Sequence, residues 1–246
     1  MENLTIYKSP FTKTRIGKPH DGGYVIAELP GDYDIFLSGG VSDDISFEKA
    51  FLERQPNLKC YAFDGTVSKL PEKSNRITFV KKNLGSINTA ENTNLHEYMQ
   101  NYNNIFMKMD IEGHEFRIIP TFFENGYISK IKQLVVEIHS PADIELHPSY
   151  YTTLTDIKNN HMFEMLENIN KTHTLIHLHA NNGCNMNIID GIKIPHVFEC
   201  TFIRNDFIDS NPNGKVKNDQ PLPTDIDMKN IHYKPDYYLA GFPYSV

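Results

Sequence analysis

The feature that most constrains the fold of this chain is a series of short apolar segments, each followed by polar or glycine residues and then by a helix-like segment. The segments predicted to be strands are Asp34–Val41, Lys59–Asp64, Arg76–Lys82, Ile105–Met109 and Gln133–His139. The last one is a nearly continuous apolar run, which is typical of a parallel strand covered on both faces. Strands that alternate with helices predict an α/β fold with a mostly parallel sheet and helices on both faces.

The segments between and after these strands complete the predicted fold. Helices are predicted near residues 43–54, 94–102, 114–125 and 148–168. Asn94 and Glu97 resemble a capping box, and Pro120 predicts a kink or break. No helix fits between two further predicted strands, His173–His179 and His196–Arg204, so we expect them to be antiparallel neighbours. The result is a seven-stranded sheet with an antiparallel last strand.

The length and composition predict one soluble domain. The chain has 246 residues, of which 39% are hydrophobic, so a full core can be buried. Residues 207–246 are predicted to form an irregular C-terminal extension. Its polar part, 209–236, is expected to run over the surface, and its aromatic end, Tyr237–Tyr244, to pack back onto the domain. The N-terminus has no apolar signal segment, and no run approaches the roughly 20 apolar residues of a membrane span. We therefore expect a cytoplasmic protein without membrane contact.

The net charge and the cysteines narrow the range of partners and compartments. A formal charge of -7 disfavours nucleic acid as the main partner, because phosphate binding needs clustered lysine and arginine. Cys60, Cys184 and Cys200 lack metal-ligand spacing. Cys60 and Cys200 lie in predicted strands, where we expect small buried apolar residues. Their low, odd number suits a reducing compartment. The sequence does not indicate an oligomeric state.

Two carboxylates and a histidine stand where the fourth predicted strand ends. The segment Asp110–Glu115 directly follows Ile105–Met109. Ligands of open α/β sheets bind at the carboxyl ends of the strands. Charged groups are rarely placed there for stability, because their burial is costly unless they are paired. The segment therefore predicts an active site around Asp110 and Glu112, whereas His114 and Glu115 are suited to the first turn of the next helix.

Several motifs together resemble the FkbM-type methyltransferases, a class I family that depends on S-adenosylmethionine. The resemblance covers about residues 11–206 and is carried by Asp21–Val25, Phe36–Val41, Tyr61–Asp64, Met107–Glu115, Val135–His139 and His177–Asn182. Members of the family usually carry a turn of the type Asp-x-Gly-Ala-Asn, from which the segment Ser38–Asp43 departs. The resemblance implies a Rossmann-like fold, S-adenosylmethionine as cofactor, and a hydroxyl acceptor on a sugar or glycan.

The resemblance also implies a cofactor site along the first four strands, covered by residues 1–33. Asp64 lies roughly 20 residues beyond the glycine turn, a position suited to binding ribose hydroxyls. The alternative for Asp64 is a helix cap or a turn carboxylate. The predicted cofactor-binding residues are Gly39, Gly40, Val41, Asp43, Asp64, Gly65, Asn83, Leu84, Gly85 and Asp110.

Methyl transfer to an alcohol asks for a base, because an alcohol is a poor nucleophile at neutral pH. The candidate catalytic residues, all near strand ends, are Asp110, Glu112, His139 and His179. Histidine has the better pKa for this task, and a carboxylate can orient the imidazole. Each lone histidine is nevertheless more often a structural side chain. The candidate substrate-binding residues, around the last hairpin, are Asn181, Asn182 and Glu199.

The same residues leave other functions open. Asp110, His139 and His179 are a candidate mixed site for a divalent metal, although metal dependence is not favoured. One alternative function is an NAD-dependent sugar oxidoreductase, which predicts a full Gly-x-Gly-x-x-Gly turn that the segment around Gly39 does not supply. Another is a non-catalytic binding module, which would tolerate the loss of polar residues at the strand ends.

Overall fold

The computed structural model describes residues 1–210, 212 and 214–246. The strands are β1 (Lys13–Gly17), β2 (Gly23–Ala27), β3 (Ile35–Gly39), β4 (Cys60–Phe63), β5 (Ile77–Val80), β6 (Asn83–Leu84), β7 (Asn92–Thr93), β8 (Ile105–Met109), β9 (Ile131–His139), β10 (His173–Ala180), β11 (Met186–Ile189), β12 (Ile192–Pro195) and β13 (Val197–Arg204). The helices are α1 (Ser46–Arg54), α2 (His96–Met99), α3 (Glu115–Glu124), α4 (Pro141–Leu146), α5 (Asn159–Asn170) and α6 (Asp206–Asp209). Short 3₁₀ helices lie at Glu2–Leu4 and Tyr127–Lys130.

Within the described residues, a central sheet of seven strands has the order β10-β13-β9-β8-β3-β4-β5. The strands from β5 to β9 in this order are parallel neighbours, whereas β13 runs antiparallel to both β9 and β10. The chain enters at β3, continues outward through β4 and β5, and returns to the middle at β8. Ligands of open α/β sheets bind at such a reversal. The predicted fold class, a Rossmann-like sheet with an antiparallel last strand, is confirmed.

The predicted strands agree with the observed ones to within a few residues. The hairpin predicted for the last two strands is also confirmed, because β10 and β13 are antiparallel neighbours with His179 opposite Glu199. The connection between them contains the small hairpin β11–β12, where the sequence predicts only a turn and a loop. Strongly apolar strands were therefore predicted well, and the exposed hairpin was not.

The helices follow the prediction less closely. Of the kink or break predicted at Pro120, the break is not found, because α3 continues through this residue. The helix predicted from residue 148 begins only at Asn159. Residues 147–158 instead form turns that bury Tyr151, Leu154 and Ile157 in the core. Their apolar spacing imitates a helix because successive turns direct these side chains to the same side.

Two short helices also differ from the prediction. α4 was not predicted, and Pro141 opens it at a position where proline is favoured. α2 is a single turn preceded by Leu95 in a left-handed conformation. The capping box expected from Asn94 and Glu97 is absent, because Oδ1 of Asn94 accepts a hydrogen bond from the backbone N–H of His96 instead.

The two faces of the sheet are packed differently. One face is covered by α3 and α5 and is apolar. On the other face, α1 and the β1–β2 hairpin enclose an aromatic cluster in which the rings of Phe51 and Phe106 stack with centroids 3.8 Å apart. Beside this cluster the same face is polar, with Lys108, Glu137 and Glu199 all buried. Buried charges on a sheet face need partners, which the remaining segments supply.

The N-terminal hairpin and the C-terminal extension lie over this polar part of the sheet. The side-chain amide of Gln133 exchanges two hydrogen bonds with the backbone of Ala27 in β2. In the extension, Oδ1 of Asp227 lies 2.8 Å from Nε2 of His177 in β10, and Tyr244 is buried. The prediction that the extension packs back onto the domain is therefore confirmed.

The cysteines lie largely as predicted. Cys60 in β4 and Cys200 in β13 are buried, Cys184 is half-buried, and all three are free thiols. Among the described residues, no helix combines the length and the apolar character needed to cross a membrane.

Candidate active site

A cavity of about 410 Å³ opens at the carboxyl ends of β3, β4 and β8. This volume is within the range of small-molecule sites, and the position is the topological switch point of the sheet. The lining residues are Gly40, Ser42, Phe63, Asp64, Thr66, Asn83, Leu84, Asn92, Asp110, Ile111, Glu112, His114 and Tyr150. The cavity therefore contains Gly40 and Asp64 on one side and Asp110 and Glu112 on another.

The glycine turn after β3 lets two backbones approach each other at the cavity floor. Gly40 has φ +73°, and a Cβ at this position would overlap the carbonyl oxygen of Asp110. A Cβ at Gly39 would overlap the side chain of Leu84. Gly40 therefore requires glycine for space and for its backbone conformation, whereas at Gly39 the end of the Leu84 side chain would have to move aside. Gly39 supports the wall from behind, since Leu84 but not Gly39 lines the cavity.

Asp64 is held by the turn that follows β3 and by its own loop. Its Oδ2 accepts a hydrogen bond of 2.8 Å from the backbone N–H of Ser42, and its Oδ1 accepts bonds from the N–H and hydroxyl of Thr66. Burial raises the pKa of Asp64, but these hydrogen bonds outweigh it, so the pKa lies below its ordinary value. The carboxylate is therefore ionised and held in a fixed orientation.

The other predicted cofactor residues divide into two groups. Asn83 and Leu84 line the cavity, and Oδ1 of Asn83 accepts a bond from the N–H of Gly65. Val41 is buried in the core beneath α1. Asp43 lies at a separate surface depression beside α1, and Gly85 bonds through its N–H to the carbonyl oxygen of Thr93. The predicted contacts of Val41, Asp43, Gly65 and Gly85 with a cofactor are therefore not provided by this cavity.

Asp110 is held by two residues that lie behind the cavity. The hydroxyl of Tyr24 donates a hydrogen bond of 2.8 Å to Oδ2, and Nζ of Lys108 lies 3.8 Å from the same oxygen. Lys108 also donates to the carbonyl oxygen of Gly40 at 2.9 Å. Burial raises the pKa of Asp110, but Lys108, His139 and Tyr24 together hold it below its ordinary value. Asp110 is therefore a fixed negative charge at the end of β8.

Glu137 lies next to Asp110. Burial and the Asp110 carboxylate raise its pKa well above the ordinary value, which favours the protonated form. Its Oε1 accepts a hydrogen bond of 3.2 Å from the side-chain amide of Asn181. The ammonium group of Lys108 contacts Asp110 and Gly40.

Glu112 and His139 form a pair at the cavity wall. Oε2 of Glu112 lies 3.2 Å from Nε2 of His139, and the Glu112 side chain is 52% exposed whereas that of His139 is 6% exposed. Burial lowers the pKa of His139, but the hydrogen bond to Glu112 and the carboxyl groups of Glu137 and Glu115 raise it to about 10. His139 is therefore an imidazolium at neutral pH, which removes the advantage expected of it as a base.

The remaining candidates lie under the C-terminal extension and do not line the cavity. His179 is paired with Glu199 at 3.7 Å and with Asp236 at 3.2 Å. The side chain of Asn182 bonds to the backbone of residues 231, 234 and 235, and Glu199 accepts a bond from Asn230. Asn181 also faces inward, toward Glu137. These residues therefore hold the extension in place in this structure.

Two further expectations for the site differ from the arrangement observed. Within residues 1–210, 212 and 214–246, no group of three His, Cys, Asp or Glu side chains is arranged to hold a metal ion. Asp110, His139 and His179 therefore do not form the mixed metal site considered from the sequence. Residues 1–33 do not contribute to the lining of the cavity, because the β1–β2 hairpin lies behind Asp110.

Sequence reasoning missed part of the wall and its support. Thr66, Asn92 and Ile111 line the cavity without a motif that marks them. Lys108 is a lone charged residue within an apolar strand. This isolated charge was the sequence signal that could have indicated its role in holding Asp110 and Gly40. Ser42 and Glu112 both line the cavity with positive φ, 44° and 54°. Such a conformation is uncommon for residues other than glycine and concentrates at functional sites.

Comparisons with known protein families and with curated proteins found no match. Among solved structures, the chain is similar to a fibrillarin/Nop5p complex, with 9% identity, a TM-score of 0.41 and coverage of 72% of this chain and 74% of that chain. It is also similar to a precorrin-6y C5,15-methyltransferase from Geobacter metallireducens, with 12% identity, a TM-score of 0.33 and coverage of 72% and 81%. A 16S rRNA (adenine(1408)-N(1))-methyltransferase variant from Catenulisporales acidiphilia gives 10% identity, a TM-score of 0.33 and coverage of 78% and 98%.

Proposed function

We propose that this protein is an S-adenosylmethionine-dependent O-methyltransferase that acts on a hydroxyl of a sugar or glycan. The observation that carries the proposal is that the β3 turn, Asp64, Asp110 and Glu112 all line the same cavity at the switch point of the sheet. The resemblance of the sequence to FkbM-type methyltransferases supports the same function. Membership of the FkbM-type family itself remains a prediction.

The residues present fit this cofactor. The backbone of Gly40 packs directly against the backbone of Asp110 at the cavity floor, with no space for a side chain on Gly40. A ligand can therefore lie against the backbone there. Asp64 would accept a hydrogen bond from a ribose hydroxyl, and Asn83 would lie beside the base. Asp110, ionised and fixed by Tyr24 and Lys108, would face the positively charged end of S-adenosylmethionine. When bound, S-adenosylmethionine supplies an electrophilic methyl group.

Glu112 is the proposed base. It is the cavity-lining carboxylate that is half exposed, so an acceptor hydroxyl can reach it. Asp110 is less suited, because Lys108 and Tyr24 already bind it and lower its pKa. His139 is less suited because it already carries a proton. A positioned carboxylate that accepts the hydroxyl proton contributes about 10²- to 10⁴-fold to the rate.

The cavity rim supports a neutral polyhydroxylated acceptor. Tyr150 lines the cavity beside Glu112 and is 65% exposed. Burial and the Glu112 carboxylate raise the pKa of the Tyr150 hydroxyl. An exposed aromatic ring beside a carboxylate suits a sugar, which stacks its C–H face and donates its hydroxyls. The net charge of -7 is consistent with an uncharged acceptor.

The cofactor is tested by calorimetric titration of the protein with S-adenosylmethionine and with NAD. We expect binding of S-adenosylmethionine and none of NAD. Failure to bind S-adenosylmethionine would contradict the proposal, and binding of NAD alone would favour an oxidoreductase.

The acceptor is tested by methyl transfer from labelled cofactor to a panel of free sugars and glycans. We expect transfer to at least one hydroxyl, and a loss of about 100-fold or more in kcat for Glu112→Gln with cofactor affinity retained. Glu124→Gln, an exposed glutamate at the end of α3, is the matched control. Transfer to protein or RNA and to no sugar would overturn the acceptor class.

A further inference from the structure

Glu115 is the acidic residue of the strand-end segment that the proposed methyl transfer does not use. It opens α3, where a glutamate usually points to solvent and interacts with the helix dipole. Here the residue is completely enclosed, with 0% exposure. A fully buried carboxyl group is costly, so it needs a specific partner.

That partner is His139. Oε1 of Glu115 accepts a hydrogen bond of 2.8 Å from the backbone N–H of His139 at the end of β9. The same oxygen lies 3.9 Å from Nδ1 of the imidazole. Nδ1 of His139 and Oε2 of Glu115 are both buried and have no hydrogen-bond partner among the described residues. In structures without substrate, functional hydrogen bonds are often long and tighten on binding.

The imidazole of His139 thus has two differently placed carboxyl groups at its two nitrogens. Glu112, after β8, contacts Nε2 from the cavity side, and Glu115, on α3, contacts the Nδ1 side from the interior. Asp110 at the end of β8 and Glu137 on β9 also face the ring. The ring of Tyr151, which precedes α5, also lies near His139, with 6.1 Å between the two ring centroids.

We propose that Glu115 is a positioning residue that clamps His139, so that Nε2 stays directed at Glu112 on the cavity wall. Glu115 holds His139 through two interactions. The backbone hydrogen bond fixes the end of β9, and the negative charge balances the imidazolium. When Glu112 takes up the acceptor proton it becomes neutral, and Glu115 then remains as a counter-charge for the buried ring. Only this last step rests on the proposed function.

The titration behaviour of Glu115 supports a role beyond packing. Burial raises its pKa to about 7, against the opposing effect of His139. The clamp is therefore charged above this pH and neutral below it. In the variant Glu115→Gln the backbone hydrogen bond is retained and the charge is absent at every pH. This variant separates the two parts of the clamp.

The first test uses NMR titration of the histidine rings and needs no substrate. In Glu115→Gln we expect the pKa of His139 to fall by about one unit or more, because an opposite charge close to the ring is removed. Glu124→Gln on the same helix is the matched control and should leave it unchanged. His139→Asn identifies the resonance. An unchanged pKa of His139 in folded Glu115→Gln would overturn the clamp.

The second test compares kcat of the wild type and Glu115→Gln as a function of pH. Above pH 7 we expect about a tenfold lower kcat in the variant with an unchanged KM for the cofactor, and below pH 7 the two rates should converge. Equal rates at all pH values would overturn the role in proton transfer. If the wild type fails to bind S-adenosylmethionine, the proposed function falls while the NMR titration still decides the clamp.

Discussion

The hydroxyl of Tyr24 donates a hydrogen bond of 2.8 Å to Oδ2 of Asp110, and so joins the N-terminal hairpin to the carboxyl end of β8. Tyr24 is buried, and its ring packs edge-on against Phe47 of α1 with centroids 5.5 Å apart. The hairpin therefore supports the charged residue at the cavity floor from behind.

Tyr24→Phe removes this hydrogen bond and leaves the ring in place. We expect the free energy of unfolding to fall by about 1.5–3 kcal/mol, because the bond is made to a charged group. The affinity for S-adenosylmethionine should also fall. Tyr33→Phe is the control, since Tyr33 is equally buried but bonds to the neutral Gln133. Urea unfolding and calorimetry measure both effects, and an equal loss of cofactor affinity in the control would refute the role of Tyr24.

Gly40→Ala should disrupt the turn after β3 far more than a comparable change elsewhere. An added Cβ would overlap the carbonyl oxygen of Asp110, and the backbone there has a positive φ. Gly126 also has a positive φ, 68°, but nothing lies within 4 Å of an added Cβ. We expect Gly126→Ala to cost about 1 kcal/mol and Gly40→Ala at least twice as much in thermal unfolding. Similar costs would mean that the close approach is not required.

Asp64→Asn tests the predicted ribose contact. The amide keeps one acceptor oxygen for the turn but loses the charge, so we expect affinity for S-adenosylmethionine to fall about tenfold or more. Asp43→Asn is the control, because Asp43 follows the same turn but lies outside the cavity. Calorimetry distinguishes the outcomes. Equal losses in both variants would show that the cofactor lies over the surface beside α1 instead.

Asp227→Asn tests how the C-terminal extension is held. Burial raises the pKa of Asp227, but His177 and the Thr224 N–H outweigh it and lower the pKa. A carboxylate with a depressed pKa in the folded state stabilises it above the unfolded value of about 3.9, and this contribution is lost as the pH falls toward the folded value.

For this variant we therefore expect a loss of about 1.5–3 kcal/mol at pH 7 that shrinks below about pH 4. Hydrogen exchange of residues 224–237 should rise. The exposed Asp225→Asn is the control. A constant loss at every pH would show that the charge of Asp227 is not responsible.

The sheet was predictable because its signal is local. A run such as Ile105–Met109 or Gln133–His139 is apolar enough to specify a buried strand in any context, and the absence of a helical segment before the last strand specifies a hairpin. The helix around Pro148 was mispredicted because spacing alone cannot separate a helix from successive turns that bury residues on the same side. The difference lies in backbone hydrogen bonds, which side-chain spacing does not report.

The cavity residues were predictable where they follow a strand directly. Gly40, Asp64, Asp110 and Glu112 were all placed at strand ends by the sequence, and all four line the cavity. His179 is also at a strand end, yet the C-terminal extension covers it. Its sequence position could not reveal this, because the covering residue, Asp236, is remote in the chain.

The sequence by itself determined the strands, the glycine turn and the chemical groups at the strand ends, because hydrophobic pattern and backbone conformation act between near neighbours. Only the tertiary structure decided which charges meet. It turned Glu115 inward to His139, set Tyr24 behind Asp110, and raised the pKa of Glu137 by burying it beside Asp110. These pairings depend on burial, which strengthens interactions between charges, and burial is a property of the packed chain.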